Sequence, residues 1–136
     1  MKSFFINLII YIAIIGGVVF GFPKALSWYL DTPYPMAAIT SGSMWPVLKE
    51  GSLVFIKSVK KEEVKIGDII VYRNSNGFTI HRVVELGEKD LTTKGDANFQ
   101  KDVSIKYEDI IGKTLTVFGR PAAIPYLGLI SVAANK

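Results

Sequence analysis

The sequence lacks cysteine altogether and contains a single histidine, His81. Without cysteine the chain has no disulfides, no thiolate ligands and no cysteine nucleophile, and one histidine excludes a metal site built from several imidazoles. A strong excess of one charge is also missing, because 16 basic residues against 12 acidic ones leave a net charge of +4. A domain that faces anionic lipid accounts for this modest excess at least as well as nucleic-acid binding does. We therefore predict no metal cofactor and no nucleic-acid partner.

Charge is absent from residues 4–22, which form an unbroken apolar run between Lys2 and Lys24. As a helix this run is roughly 28 Å long, close to the thickness of the hydrocarbon core of a bilayer. A cleaved secretory signal has a shorter apolar core and a small-residue cleavage site, which residues 20–23 match poorly. The run is apolar on all sides, and the remaining chain is too small to enclose it as a core helix. We therefore predict a retained transmembrane anchor over residues 1–26.

The anchor is followed by an exit segment, residues 27–35, whose aromatic rings suit the headgroup region and whose prolines favour an extended chain. Residues 36–120 are rich in apolar and β-branched runs, which predict a compact β-rich domain. An Asn-Gly pair within residues 74–77 indicates a tight hairpin, because these residue types adopt positive φ angles. The predicted strands are 36–40, 52–59, 67–73, 78–86, 89–95 and 111–120, with a short helical turn over 106–110. The fold class is therefore mainly β, with one N-terminal transmembrane helix.

The chain beyond residue 120 is apolar but is interrupted by Pro125 and Gly128. Residues 121–136 are too few for a secure membrane span. They can lie on the bilayer surface, complete the core of the β domain or begin a second anchor. The sequence leaves these three placements open.

Ser43, His81 and an aspartate can together form a nucleophile, a general base and a group that orients the base. An imidazole can take the proton of a serine hydroxyl, and a carboxylate can fix the tautomer of that imidazole. Composition alone does not require this arrangement. A lone histidine in an apolar strand is ordinarily a half-buried strand residue.

Four short motifs occur in order along the chain: SGSMWP at 41–46, KIGDIIVY at 65–72, TIHRV at 79–83 and TKGDAN at 93–98. With the N-terminal anchor they resemble the type I signal peptidases, membrane-bound serine proteases that remove signal peptides from exported proteins. The resemblance covers residues 36–120 and implies a signal-peptidase-like catalytic domain with Ser43 as its nucleophile. His81 stands where many bacterial members carry a lysine base. It resembles the histidine-base type of the endoplasmic reticulum, of archaea and of some Gram-positive bacteria.

The resemblance implies that both Asp96 and Asp102 matter, and we assign Asp102 as the residue that orients His81. Asp96 is then a structural carboxylate or the alternative orienter. Ala97 departs from the family, which commonly has asparagine there, and this weakens any role for its side chain. Asp68 is interpreted as a turn residue that accepts backbone N–H bonds at the start of a strand.

Attack on a peptide carbonyl builds negative charge on oxygen, which needs hydrogen-bond donors placed in advance. The N–H of Ser43 is one candidate, and the resemblance offers the Ser41 hydroxyl as another, although Ser41 can equally be a turn residue. Ile39 and Thr40 lead into this site on a strand whose exposed edge can accept an extended peptide substrate. Trp45 is expected to enter the lipid headgroups beside the scissile bond, as amphipathic aromatic rings do.

These patterns predict a membrane-bound serine endopeptidase that needs no cofactor. Its expected partners are the signal peptides of preproteins, the lipid bilayer and, as a further candidate, the translocation machinery. We expect a single-pass protein with its catalytic domain on the extracytoplasmic or lumenal side.

Two alternatives stay open. One is a self-cleaving serine–lysine protease of the phage-repressor type, which the anchor and His81 disfavour, and the other is a membrane-tethered β domain that binds a partner without catalysis.

Overall fold

A long apolar helix forms the N-terminal part of the protein in a computed structural model, which describes residues 1–75 and 77–134. The most apolar window of this helix has a mean hydropathy of 2.4, and none of that window is buried against the rest of the protein. Among the described residues it is the one helix long and apolar enough to cross a membrane. It runs over Lys2–Tyr29 and consists of α1 (Lys2–Gly16), a π-helical segment (Gly17–Gly21) and α2 (Phe22–Tyr29).

The helix continues to Tyr29, beyond Leu26, where the anchor was expected to end. Trp28 and Tyr29 are exposed on its last turn, whereas the next residue, Leu30, is buried. The Leu30 carbonyl accepts a hydrogen bond from the N–H of Ser58 at 2.9 Å, just after the second strand. This bond ties the end of the helix to the β domain.

The strands of the β domain are β1 (Met36–Ala38), β2 (Leu53–Lys57), β3 (Ile69–Asn74), β4 (Gly77–Leu86), β5 (Asp90–Lys94), β6 (Ile105–Lys106), β7 (Ile110–Thr114), β8 (Thr116–Val117), β9 (Arg120–Pro121) and β10 (Ala123–Ile124). They form one antiparallel sheet in the order β1-β2-β7-β3-β4-β5-β6, with β10 also paired to β2 and with β8 and β9 forming a separate hairpin. This architecture confirms the predicted fold class of one apolar helix followed by a β-rich domain.

The hairpin predicted at residues 74–77 is confirmed, because Asn74 pairs with Gly77 at the closed end of the β3–β4 ladder. Gly77 has a φ of +113°, a conformation that a side chain would strain. Asn76 lies outside the described residues. The helical turn expected over 106–110 is confirmed as a single 3₁₀ turn, Tyr107–Asp109.

The prediction of one strand over residues 111–120 was wrong. Strand β7 ends at Thr114, and the chain then forms the β8–β9 hairpin around Phe118 and Gly119, whose φ angles are 50° and 76°. Leu115, between β7 and β8, donates its N–H to the carbonyl of Phe55 at 2.8 Å, so the pairing with β2 continues one residue beyond β7 before the hairpin begins. A bulky residue at positive φ is rare, so the residue types in this stretch gave no warning of a turn.

Strand β3 is buried on both faces, which accounts for its continuous apolar sequence IIVY. Ile69 faces one core cluster, and Ile70 and Tyr72 face another, because successive side chains of a strand point to opposite sides. The first cluster includes residues from the loop that carries Ser43, and the second lies on the face that carries His81. The first contains Ile39, Met44, Leu48, Val54 and Ile69, and the second contains Val64, Ile70, Tyr72, Val83 and Leu91.

Within the residues that the structure describes, the segment after residue 120 contacts the β domain at Ala123, Ile124 and Leu129. Ala123 pairs with Val54 of β2 and packs against the first core cluster. The short helix α3 (Leu129–Ala134) follows, and the Leu129 side chain lies over Gly51 so closely that a Cβ at position 51 would meet it at 2.7 Å. Contact of this segment with a bilayer surface stays a prediction.

Candidate active site

Ser43 lies in a turn after β1, and the apolar side chains of Met44 and Leu48 in this turn pack into the first core cluster. The N–H of Trp45 donates to the carbonyl of Gly42 at 3.0 Å, and the N–H of Leu48 donates to the carbonyl of Met44 at 2.9 Å. Met44 is 1% exposed and belongs to the first core cluster, whereas Trp45 is 59% exposed. Met44 and Trp45 therefore have different roles, although they are adjacent. Met44 anchors the backbone beside Ser43 in the core, and Trp45 faces outward.

His81 stands on β4 between Ser43 and Asp102. Its Nε2 lies 3.1 Å from Ser43 Oγ, and its Nδ1 lies 2.6 Å from Asp102 Oδ2. His81 is buried, and Asp102 keeps 22% of its side chain exposed. This geometry suits proton transfer from the serine hydroxyl to Nε2, while the carboxylate holds the Nδ1 proton and stabilises the imidazolium that forms.

Asp96 lies on the opposite side of β4, because Arg82 follows His81 and points to the other face. Arg82 donates from Nε and Nη2 to the two carboxylate oxygens of Asp96, each at 2.7 Å, and from Nη1 to the carbonyl of Gly67 at 2.8 Å. The hydrogen bonds to Asp96 raise the pKa of Arg82 above its ordinary value, against a smaller opposing effect of burial. Of the two aspartates singled out in the sequence, Asp102 contacts His81 and Asp96 contacts Arg82.

The loop that carries Asp96 is docked on the main chain of the serine. The Ala97 N–H donates to the Ser43 carbonyl at 2.8 Å. Gly95 approaches the same carbonyl so closely that a Cβ would lie 2.7 Å from it and 2.6 Å from the Asn98 side-chain nitrogen. A glycine is therefore required at position 95 by this close approach. The motif TKGDAN supports the backbone of Ser43 as well as supplying a carboxylate.

Asp68 occupies the turn before β3, as its interpretation as a turn residue predicted. Its Oδ2 accepts the N–H of Lys65 at 3.0 Å. The same oxygen pairs with Lys113 on β7 at 2.9 Å, a partner that the sequence did not reveal. Asp68 thus pins the start of β3 to a neighbouring strand.

The Ser41 hydroxyl lies 3.1 Å from the Ser43 hydroxyl, and both are accessible from solvent. Ser41 therefore borders the space that a reacting carbonyl would occupy. Its hydroxyl has one proton, which can be directed to Ser43 or rotated toward a third atom.

A cleft of about 780 Å³ extends from Ser43 and His81. Residues 36–40 line one side, including Ile39 and Thr40, and residues 78–81 line the other. In the part of the chain that the structure describes, β1 pairs only with β2, and the first half of β4 pairs only with β3. The cleft is thus bounded by two strand edges.

The backbone of β1 shows which groups face this cleft. Ile39 donates its N–H to Ser52 and accepts from Gly51, each at 2.8 Å, so both of its polar groups point toward β2. Because these groups alternate between the two sides of a strand, those of Ala38 and Thr40 point toward the cleft. Ile39 itself contributes a side chain that is buried in the first core cluster.

Two residues near the site were missed by the sequence analysis. Tyr72 and Thr93 are buried, and their hydroxyls lie 3.3 Å and 2.6 Å from Asp102 Oδ2. Both sit inside motifs that had been noted, at the end of KIGDIIVY and at the start of TKGDAN. The sequence signal for them was a hydroxyl group in an otherwise apolar strand. Only the pairing of the strands shows that both hydroxyls lie beside Asp102.

Comparisons with known proteins agree with this geometry. The sequence profile of the Peptidase S24-like family matches residues 20–115. The signal peptidase complex catalytic subunit SEC11 of Colletotrichum graminicola is 32% identical over 133 residues, which cover 91% of this chain and 77% of that protein. The corresponding subunit of Sclerotinia sclerotiorum is 34% identical over 140 residues with the same coverage. Human SEC11C is 27% identical over 127 residues, which cover 82% of this chain and 63% of that protein.

The four ordered motifs and these comparisons point to one family, and the predicted resemblance is confirmed. The matched profile spans the end of the helix and the sheet from β1 to β7, so it includes Ser43, His81 and Asp102. The chain belongs to the Peptidase S24-like family, within the group of serine proteases that contains the signal peptidase catalytic subunits.

Proposed function

We propose that this protein is a serine endopeptidase that cleaves signal peptides from preproteins at a membrane surface. The observation that carries the proposal is the position of the His81 ring, 3.1 Å from Ser43 Oγ on one side and 2.6 Å from Asp102 Oδ2 on the other. Ser43 is the nucleophile, His81 the general base, and Asp102 the residue that orients the base. Asp96 acts on this site through its ion pair with Arg82.

The reaction follows from this arrangement. Ser43 Oγ bonds to the scissile carbonyl carbon while its proton passes to His81 Nε2, and the carbonyl oxygen becomes an oxyanion. The C–N bond then breaks, the imidazolium gives its proton to the leaving amine, and an acyl ester remains on Ser43. A water that loses a proton to His81 hydrolyses this ester. The Ser43 N–H and the Ser41 hydroxyl, which can rotate away from Ser43, are the donors assigned to the oxyanion.

The substrate is assigned to the cleft between β1 and β4 as an extended chain. Polar backbone groups of Ala38 and Thr40 face this cleft and can pair with a peptide added as a strand. Ile39 contributes an apolar wall. The resemblance to signal peptidases implies small side chains, often alanine, one and three positions before the cut.

Attachment to the membrane is assigned to the helix Lys2–Tyr29, with one pass and with the β domain on the extracytoplasmic or lumenal side. Trp28 and Tyr29 on the last helical turn suit an interface. The relatives are named as catalytic subunits of a signal peptidase complex. This name supports a complex for the present chain, and the translocation machinery is the place where its substrates emerge.

The purified full chain in detergent is expected to cut a preprotein at its signal-peptide junction, releasing a mature N-terminus that mass spectrometry identifies. A matched preprotein with tyrosine in place of the alanine before the junction should resist cleavage, since a small pocket cannot accept it. Binding of the preprotein without cleavage would favour the non-catalytic alternative. Cleavage of the enzyme chain alone would favour the self-cleaving one.

Trp45 is expected to lie among lipid headgroups when the full chain is in a bilayer, because its ring is exposed beside the buried Met44. The chain has two tryptophans, so a Trp28→Phe variant reports on Trp45 alone. In proteoliposomes its fluorescence should be quenched by lipids brominated near the headgroup end of their acyl chains. The matched Trp45→Phe variant gives the signal of Trp28 at the helix end. Quenching of Trp45 by aqueous iodide alone would contradict the contact.

A further inference from the structure

One oxygen of Asp102 receives several hydrogen-bond donors at once. Oδ2 lies 2.6 Å from His81 Nδ1, 2.6 Å from Thr93 Oγ1 and 3.3 Å from the Tyr72 hydroxyl. The hydroxyls of Tyr72 and Thr93 are themselves 3.2 Å apart. A carboxylate oxygen held from three directions has little freedom to rotate away from the imidazole.

The sheet brings these groups together on one face. Ile70 on β3 pairs with His81 on β4, and Tyr72 lies two residues further along β3. On the other flank Thr93 of β5 pairs with Val83, which is two residues from His81. Because side chains repeat with a period of two along a strand, all of them share the face that carries the second core cluster. Tyr72 and Thr93 therefore flank His81 from the two neighbouring strands.

The protons can be assigned by counting. Each hydroxyl has one proton, and the shortest hydroxyl contact joins Thr93 to Asp102, so Thr93 donates to the carboxylate. The Tyr72 hydroxyl donates its proton to Asp102 Oδ2 at 3.3 Å. Thr93 also accepts the Asp102 N–H on its main-chain carbonyl at 2.8 Å. Thr93 thus holds Asp102 by both its main chain and its side chain.

Burial favours this arrangement. Tyr72 is 3% exposed and Thr93 is 0% exposed, so neither hydroxyl can exchange its partner for bulk water. Burial raises the pKa of Tyr72 above its ordinary value. The hydrogen bond between Tyr72 and Thr93 opposes this rise, and the charge of Asp102 adds to it. The phenol therefore stays protonated, and available as a donor, throughout the neutral pH range.

We propose that Tyr72 and Thr93 are positioning residues, which hold Asp102 Oδ2 aligned with His81 Nδ1. This inference rests on the proposed serine-protease function. In this arrangement the orienting acid is fixed by residues of β3 and β5 rather than by its own loop. Loss of either hydroxyl lets the carboxylate turn toward solvent, which weakens stabilisation of the imidazolium in the transition state while leaving the substrate cleft unchanged.

The test measures kcat and KM for preprotein cleavage in detergent by full-chain Tyr72→Phe and Thr93→Val. We expect kcat to fall roughly 10-fold to 100-fold, the worth of a hydrogen bond to a charged group, with KM within about twofold of wild type. Thr93→Ser restores the hydroxyl and should recover most of the lost rate. A purely structural role would lower the melting temperature without this split between kcat and KM.

The chain supplies matched controls for each deletion. Tyr107 donates its hydroxyl to the Gly87 carbonyl at 2.9 Å, so Tyr107→Phe removes a phenol hydrogen bond outside the site. Thr92 contacts Ser104 at 3.2 Å, so Thr92→Val removes a hydroxyl next to Thr93 on the other face of β5. Both controls should keep the wild-type kcat.

The outcomes separate the inference from the function on which it rests. An active wild type, with Tyr72→Phe and Thr93→Val both folded and within twofold of its kcat, overturns the positioning role alone. A wild type that does not cleave preprotein overturns both. Tyr72→Phe keeps the ring in the core, so it decides the question together with Thr93→Ser even if Thr93→Val fails to fold.

Discussion

Ser43→Ala and His81→Ala are each expected to lower kcat for preprotein cleavage by at least roughly 10⁴-fold, because each removes an indispensable part of one proton-transfer unit. Without Ser43 Oγ no acyl ester forms, and without the imidazole, whose Nε2 lies 3.1 Å from Ser43 Oγ, no base takes the proton of the serine hydroxyl. The double variant should be no slower than either single one, since residues that act as a unit do not contribute additively. Steady-state and single-turnover cleavage by purified full chain would measure these losses.

The matched control for the serine variant is Ser104→Ala. Ser104 is exposed, and its hydroxyl contacts Thr92 away from the cleft, so this change should leave kcat unaltered. All variants should melt within a few degrees of wild type, because neither Ser43 nor His81 belongs to the two apolar clusters. Full activity in folded Ser43→Ala or His81→Ala would remove the basis of the proposed mechanism.

Asp102→Asn and Asp96→Asn are expected to separate a loss of rate from a loss of stability. Asp102→Asn keeps the size of the side chain but presents an amide to His81 Nδ1, which disfavours the needed tautomer and the imidazolium. We expect kcat to fall roughly 10⁴-fold, the magnitude of this change in other serine-protease triads, with little change in melting temperature.

Asp96→Asn removes the charge that faces Arg82 in a two-bonded ion pair that is mostly buried. Without this partner for the guanidinium, the free energy of unfolding should fall by about 2 kcal/mol. The loss should be smaller than for a fully buried ion pair, because the Arg82 side chain is partly exposed. The melting temperature should fall by roughly 5–10 °C. The rate of the folded fraction should fall far less than in Asp102→Asn, because Asp96 acts on the site only through its ion pair with Arg82, which holds the loop that supports Ser43.

These two aspartate variants are best compared side by side in thermal melts and in cleavage assays below the melting point of the weaker one. Lys101→Gln serves as a control for a surface ion pair, since Lys101 pairs with Glu85 where both are half exposed. It should change stability by less than about 1 kcal/mol. Equal rate losses in Asp96→Asn and Asp102→Asn at unchanged stability would contradict the assignment of Asp102 alone to His81.

The apolar N-terminal helix and most of the strands were predictable because the physics that forms them is local. An uncharged run of residues 4–22 has no place in a domain this small, so it forms a helix whose apolar sides stay uncovered. The runs that became β2 to β5 are apolar and β-branched, and a glycine with positive φ closes the β3–β4 hairpin. The turn at Phe118 escaped prediction, since a bulky residue rarely adopts the positive φ that this two-residue turn between β8 and β9 has at both of its positions.

The sequence likewise predicted some features of the active site and not others. The order of motifs was enough to single out Ser43 and His81 and to offer Asp96 and Asp102 as acids. It could not show that Asp102 meets His81 while Asp96 meets Arg82, because that choice depends on which face of β4 each neighbouring loop reaches.

The sequence by itself thus determined an apolar helix long enough to cross a membrane, a β domain and the residue types of a serine protease, since hydropathy, alternation and motif order are properties of short segments. Only the tertiary structure decided that Met44 is buried while Trp45 is exposed, and that Tyr72 and Thr93 converge on Asp102. Those contacts join residues on separate segments of the chain. They depend on the register of the paired strands and on the side of the sheet to which each side chain points. Both come from packing the whole sheet around its two apolar clusters, so no single segment contains them.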